Sequence, residues 1–187
     1  MKKYVVLLLF ILFLTDKVIA PQPVFNNDAR EFLEDKRKME FECQQLKMWL
    51  DSISYYESGS NWRKYNEFGY IGKYQFGHSA LRSTGFDHVS YKEFINNPDI
   101  WTKYEQDSAM LIFMKKNEVY LDSIIKMYND SVFNGILISK SGILAAAHLA
   151  GSEGVKNFFL SEGKNDPDDI YGTTLSYYLN KFSGYKF

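Results

Sequence analysis

The chain has one cysteine in 187 residues, four prolines, three histidines and a formal net charge of −1. A single thiol, Cys43, excludes an intramolecular disulfide framework and the small stapled folds that depend on one. Its helical spacing among apolar residues predicts a small buried side chain rather than a reactive one. His78, His88 and His148 have no cysteine or histidine neighbours at ligand spacing, so no metal site is expected. Long apolar runs are also lacking, except at the start, where Lys2 and Lys3 precede an unbroken stretch from Tyr4 to Leu14. That stretch is too short for a comfortable membrane span and reads as a secretory signal over residues 1–20, with no stable membrane span expected after processing. Val18-Ile19-Ala20 offers a cleavage site. Pro21 is a poor new N-terminus, so the cut falls elsewhere or the segment persists as an anchor. Without Lys2, Lys3, Lys17 and Asp16, 19 basic and 22 acidic residues remain, and this balance argues against a nucleic-acid partner, which would need a basic face.

What the chain does have is aromatic bulk and helical periodicity. Aromatics make up 17%, with 14 tyrosines and 15 phenylalanines. Such a surplus either lines a carbohydrate cleft, where ring faces pack on sugar rings, or fills an aromatic-rich core. Residues 21–187 are expected to form one mainly α domain. After a lead-in from Pro21, capped at Asn27 or Asp28, the longest helix runs from Asp28 to about Tyr56. Its charged part, Glu31 to Arg37, projects from the domain or is covered by later elements. Met39, Cys43, Leu46, Leu50 and Ile53 form one stripe.

Glu57 is the next position on that stripe. A carboxylate there should sit at the edge of buried space and beside the negative end of the helix dipole. Both circumstances disfavour the ionised form, and a carboxyl that keeps its proton near neutrality is what a general acid requires. A solvated acid at a helix end is the alternative. Gly59 to Gly77 then breaks the helical period and is expected to form loops with a small irregular β-hairpin. Short helices follow at Ser79 to Gly85 and around Tyr91 to Ile95, then a run from Ile100 to about Met114 capped by Asp99, and another from Val119 to Met127. Asn129 to Gly135 reads as a turn. Ser141 is placed to cap a helix from Gly142 to Ala150, closed by Gly151, and Ser152 to cap one reaching Leu160. Glu162 to Asp169 reads as loop. Thr173 or Thr174 caps the last helix, with Leu175, Tyr178, Leu179 and Phe182 as its buried stripe.

Glu57-Ser58, then Gly72-Lys73-Tyr74-Gln75-Phe76, then Ala145-Ala146-Ala147-His148-Leu149-Ala150-Gly151 resemble, in order, signature blocks of lysozyme-like lytic transglycosylases, which cut peptidoglycan. The tail Tyr171-Gly172-Thr173-Thr174-Leu175-Ser176-Tyr177-Tyr178 is similar to a block of one bacterial and phage branch. The resemblance covers roughly residues 50 to 183. It implies a lysozyme-like fold with the glycine-rich loop directly after the catalytic helix, and glycan strands of peptidoglycan as the partner. No metal and no cofactor are implied. Glu57 would act first as acid and then as base, and the sugar's own C6 hydroxyl would capture C1 to give a 1,6-anhydro-muramoyl end. Ser58, Tyr74, Gln75, His148, Tyr171 and Thr174 are the implied substrate-binding residues. His148 stands where the more widespread version has Tyr-Asn, and a hydrogen-bonded core histidine is the alternative there. Ser58 as a plain cap and Gln75 as an amide closing the loop are equally open. Tyr74 and Phe76 alternate about Gln75, so at most one faces the cleft. A tyrosine hydroxyl near Glu57 could come from Tyr171, Tyr177 or Tyr178. Two rival functions stand beside this one: a lysozyme-type hydrolase with Glu67 as helper carboxylate, and a catalytically idle glycan-binding module. The expected location is the periplasm or cell envelope of a bacterium, or the medium.

Overall fold

The protein, seen here as a computed structural model, is described over residues 27–187. The secretory signal, the lead-in up to residue 26 and the side chain of Asn27 lie outside the described residues. The chain divides into two units, residues 1–36 and Arg37–Phe187. The helix α1, Asn27–Ser58, carries the chain from the first into the second.

The second unit is mainly helical. After α1 come α2 (His78–Thr84), α3 (Tyr91–Asn96), a single 3-10 turn, α4 (Lys103–Tyr120), α5 (Asp122–Tyr128), α6 (Lys140–Leu160) and α7 (Leu175–Lys181). Local chemistry fixes most boundaries. Gly85 ends α2 in the left-handed conformation at φ 84°, and its N–H returns to the Arg82 carbonyl. The expected start of α4 at Asp99 is displaced to Thr102. There Thr102 and Glu105 satisfy each other's backbone N–H in a capping box, while Asp99 lies in the 3-10 turn. Ser139, not Ser141, caps α6. The expected break at Gly151 is present as a kink, φ 70° and ψ 166°, inside one continuous α6. Thr174 caps α7 by accepting from the Tyr177 N–H.

The stretch from Gly59 to Gly77 is irregular, as expected, and the regular hairpin lies elsewhere. Between Gly59 and Gly77 there are only isolated bridges, Tyr65 with Ile71 and Ile71 with Phe76. The two-stranded ladder lies instead at β1 (Val132–Phe133) and β2 (Ile136–Leu137). Its connection, Asn134-Gly135, has φ of 49° and 81°, the pair of positive values that a tight hairpin turn demands and that Asn-Gly supplies.

The core gathers side chains from the end of α1, the glycine-rich loop, α4, α6 and α7, and its most extensive helix crossing is that of α6 with α7. Ala145, Ala146 and Ala147 are fully buried and let the backbones approach. A Cβ at Gly142 would collide with the Leu179 carbonyl, so glycine is what allows that crossing. All four residues of the expected α7 stripe are buried. Along α1 the stripe is real only toward its end: Leu46 and Leu50 are half-buried and Ile53 is buried, but Met39 and Cys43 are exposed. The expectation of a buried Cys43 is therefore wrong. Helical spacing says which residues share a face, not how far along the helix a core extends. On this helix burial begins at Trp49, which lies off the expected stripe and whose indole donates to the Ser141 carbonyl at 3.1 Å.

Candidate active site

Glu57 occupies the last turn of α1, where the helix leaves the core for the glycine-rich loop. Its side chain is 16% exposed. The Tyr178 hydroxyl, reaching across from α7, donates to Glu57 Oε1 at 2.5 Å. Burial, and then the Glu57 charge, push the Tyr178 phenol well above the ordinary tyrosine range, so Tyr178 stays a donor at any working pH. Tyr177 does not compete for this place: Lys181 beside it, then Tyr56, lower its phenol, and its ring is exposed. The structure thereby selects Tyr178 from the three candidate tyrosines.

His148 approaches from α6. Its Nε2 lies 2.9 Å from the Tyr74 carbonyl and 3.7 Å from Glu57 Oε1. A carbonyl only accepts, so Nε2 carries the hydrogen. Nδ1 is buried and has no hydrogen-bond partner among the described residues, with the rings of Phe76 and Phe113 against the imidazole. Tyr178 and His148 thus both face Oε1. Oε2 makes no hydrogen bond to a described residue and is the oxygen left for a ligand.

Around this acid lies a cleft in two joined compartments. The first, about 390 Å³, holds Glu57, Tyr56 and Tyr178 at its base. One wall comes from the loop after α1 (Lys64, Asn66, Tyr70 and Gln75) and the other from the loop after α6 (Asp169 to Tyr171 and Thr173). The second, about 810 Å³, continues past Tyr70, Gln75 and His148, which line both. Half-exposed rings, amides and one acid make a surface suited to sugar rings and hydroxyls.

The expected site residues part company here. Glu57, Gln75, His148 and Tyr171 line the cleft. Gln75 also closes its own loop: Nε2 donates to the Gly72 carbonyl at 2.8 Å while Oε1 accepts from Asn66 at 3.2 Å. Tyr74 does not line it. The ring is buried, its hydroxyl donates to Asp107 at 2.7 Å, and burial followed by Asp107 drives its phenol far upward. Phe76, though buried, borders the second compartment, so at most one of the two alternating aromatics reaches the cleft, as expected. Packing explains why Tyr74 is not a substrate contact: its ring belongs to the core and its hydroxyl is taken by Asp107. Ser58 binds backbone only, donating to the Ser54 and Lys73 carbonyls and tying the helix end to the loop. Thr174 is a cap and borders a third, smaller depression beside Tyr177 that adjoins the first compartment at Tyr56 and Thr173.

Glu67, the candidate second carboxylate, is exposed and lines neither compartment. The other carboxylate in the cleft is Asp169, which sequence reasoning passed over as a loop residue. Its Oδ1 accepts the N–H groups of Tyr171 and Thr173, both at 2.8 Å. Gln106 was also missed. Fully buried on α4, it accepts from the Lys73 N–H at 2.7 Å and donates to the Trp62 and Trp101 carbonyls, so it fixes the glycine-rich wall from behind. Nothing in its sequence neighbourhood signals this; the cleft tyrosines Tyr56 and Tyr70 could have been suspected from the aromatic surplus. No cluster of His, Cys, Asp or Glu able to hold a metal occurs among the described residues. No helix among them is long and apolar enough to cross a membrane. Compared with known proteins, the chain matches no family model, no curated sequence and no solved structure.

Proposed function

We propose that this chain is an exported, lysozyme-like lytic transglycosylase that cuts the β-1,4 bond between N-acetylmuramic acid and N-acetylglucosamine in peptidoglycan. The observation that carries the reading is the setting of Glu57: a mostly buried carboxyl at a helix end, gripped at Oε1 by Tyr178 and free at Oε2, in a cleft of tyrosines and amides. Oε2–H delivers its proton to the glycosidic oxygen as the C1–O bond breaks. The muramoyl C6 hydroxyl then bonds to C1 and its proton returns to Glu57, which restores the acid and closes a 1,6-anhydro ring. Tyr178 donates to Oε1 throughout, stabilising the carboxylate between the two transfers. One titrating group suffices, because the nucleophile belongs to the substrate.

A second reading, hydrolysis, is favoured by one observation, the presence of Asp169 in the same cleft. A hydrolase places a second carboxylate to activate water or to hold the sugar cation. Against it, Asp169 spends Oδ1 on two backbone donors of its own loop.

Digestion of purified peptidoglycan and mass spectrometry of the released muropeptides decides between them. Products ending in 1,6-anhydro-muramic acid support the transglycosylase, and products heavier by one water with reducing ends support hydrolysis and lead to Asp169. Binding without release would leave an idle glycan-binding module. Glu57→Gln is expected to cut turnover by roughly a thousandfold while thermal melting stays where it was.

A further inference from the structure

Two loops that face the cleft from opposite ends of the sequence share one pattern. Asn66-Glu67-Phe68-Gly69-Tyr70 and Asp169-Ile170-Tyr171-Gly172-Thr173 both read as an Asn or Asp, any residue, an aromatic ring, glycine, any residue. Their geometry is the same as well. Asn66 Oδ1 accepts the N–H groups two and four positions on, Phe68 at 3.0 Å and Tyr70 at 3.2 Å. Asp169 does so with Tyr171 and Thr173. The first residue of each loop donates its N–H to the carbonyl of the fifth, and each glycine donates to the carbonyl of the first. Gly69 and Gly172 have φ of 88° and 79°, with open space where a Cβ would stand.

Each loop is thus a small rigid finger with an aromatic residue near its tip, and the two tips touch. Phe68 and Tyr171 meet edge to face, ring centroids 6.0 Å apart and planes at 89°. Tyr171 lines the first compartment and Phe68 the second, so the ring pair stands where the compartments join. Both rings are more than half exposed, a position in which core packing gives no reason for them.

We propose that Phe68 and Tyr171 are specificity-determining residues that clasp the cleft from both walls, so that a glycan strand enters from its end rather than being laid in along its length. The inference rests on the glycan-cleaving reading above. A polymer running from one compartment to the other passes the clasp, and a strand with no free end can do so only when the rings part. Contact between two exposed rings is weak, so the clasp opens, but less often than an unobstructed groove. Wild-type cleavage therefore trims strand ends.

The test uses the full chain in a Cys43→Ser background with Phe68→Cys and Tyr171→Cys, either bridged with bismaleimidoethane or capped singly with N-ethylmaleimide. Each form, together with wild type and a Phe68→Ala/Tyr171→Ala protein, is incubated with intact peptidoglycan sacculi. Strand lengths are read early in digestion, and association with sacculi is timed. The bridged form is expected to release only terminal fragments. The capped and alanine forms should cut internally, shortening the strands left in the sacculus severalfold at equal total release. Equal length distributions in all forms would overturn the clasp while leaving the glycosidase reading intact. If no form cuts but sacculi are bound, the glycosidase reading fails. The clasp then stands on association at least tenfold slower in the bridged than in the capped form, and equal rates overturn it. Absence of both cutting and binding overturns both.

Discussion

The two walls of the cleft are built in opposite ways. The wall after α1 is rooted in the core: Ile71, Gly72, Tyr74 and Phe76 are buried, and Gln106 bonds its backbone from beneath. The wall after α6 has no buried residue from 161 to 174 and is held chiefly by polar bonds, Asp166 to Ser176 and Asp169 to its own loop. Yet both carry similar aromatic fingertips at the cleft. One wall can therefore serve as a fixed template for Glu57 while the other opens more easily, since regions poor in buried apolar contact open first.

Gly72 and Gly172 offer the sharpest way to break this contrast, because their φ values, 80° and 79°, are nearly equal. A Cβ at Gly72 would lie 2.6 Å from Gln106 Oε1 and 2.9 Å from the Trp101 ring, so Gly72→Ala combines backbone strain with a clash. It should cost about 3–5 kcal/mol of unfolding free energy in a denaturant titration and take glycan cleavage with it. Next comes Gln106→Leu. It strands the Lys73 N–H and the Trp62 and Trp101 carbonyls, for a loss of about 2–4 kcal/mol with cooperative unfolding retained. A cost below about 1 kcal/mol would mean that the first wall is not held from behind. Gly172→Ala meets nothing within 4 Å and should cost only the strain, about 1–2 kcal/mol. Hydrogen exchange should show that loss confined to residues 166–174; if exchange rises across the core, the second wall is as integral as the first.

The smallest effect concerns acid. Glu105, next to Gln106, has its carboxyl held below its ordinary 4.5 by the Thr102 backbone N–H first and the Thr102 hydroxyl second. A lowered folded value means that this stabilisation is complete above 4.5 and fades as pH falls through the folded value. Melting followed from pH 6 to pH 3 should fall less steeply in Glu105→Gln than in wild type. For a group this close to solvent the difference should be under about 0.5 kcal/mol.

Much of the fold was legible because its signals are local. Gly85, Thr174 and the α7 stripe declare themselves through a left-handed residue, a capping hydroxyl and helical spacing, none of which needs a distant partner. Glu57 was legible for the same reason, as the next stripe position at the point where the helical pattern ends. Trp49, Gln106 and Asp169 were not: the first two matter through hydrogen bonds far along the chain, and Asp169 through the cleft its loop shares with Glu57. Cys43 and Met39 misled because periodicity carries no information on where neighbouring elements stop. The repeated finger pattern was present in the sequence all along, but five residues with one glycine are too common to notice until their hydrogen bonds prove identical.

By itself, then, the sequence determined a mainly α chain, the helix that ends in Glu57, the loop that must follow it and the short list of tyrosines that could face it. Only the tertiary structure decided that Tyr178 holds the acid, that Tyr74 turns away, that Asp169 and not Glu67 shares the cleft, and that Phe68 meets Tyr171. The physical reason is range. Caps, turns and stripes are set by interactions across a few residues, whereas a site is set by how α1, α6 and α7 pack, and that packing brings together side chains as far apart as Glu57 and Tyr178.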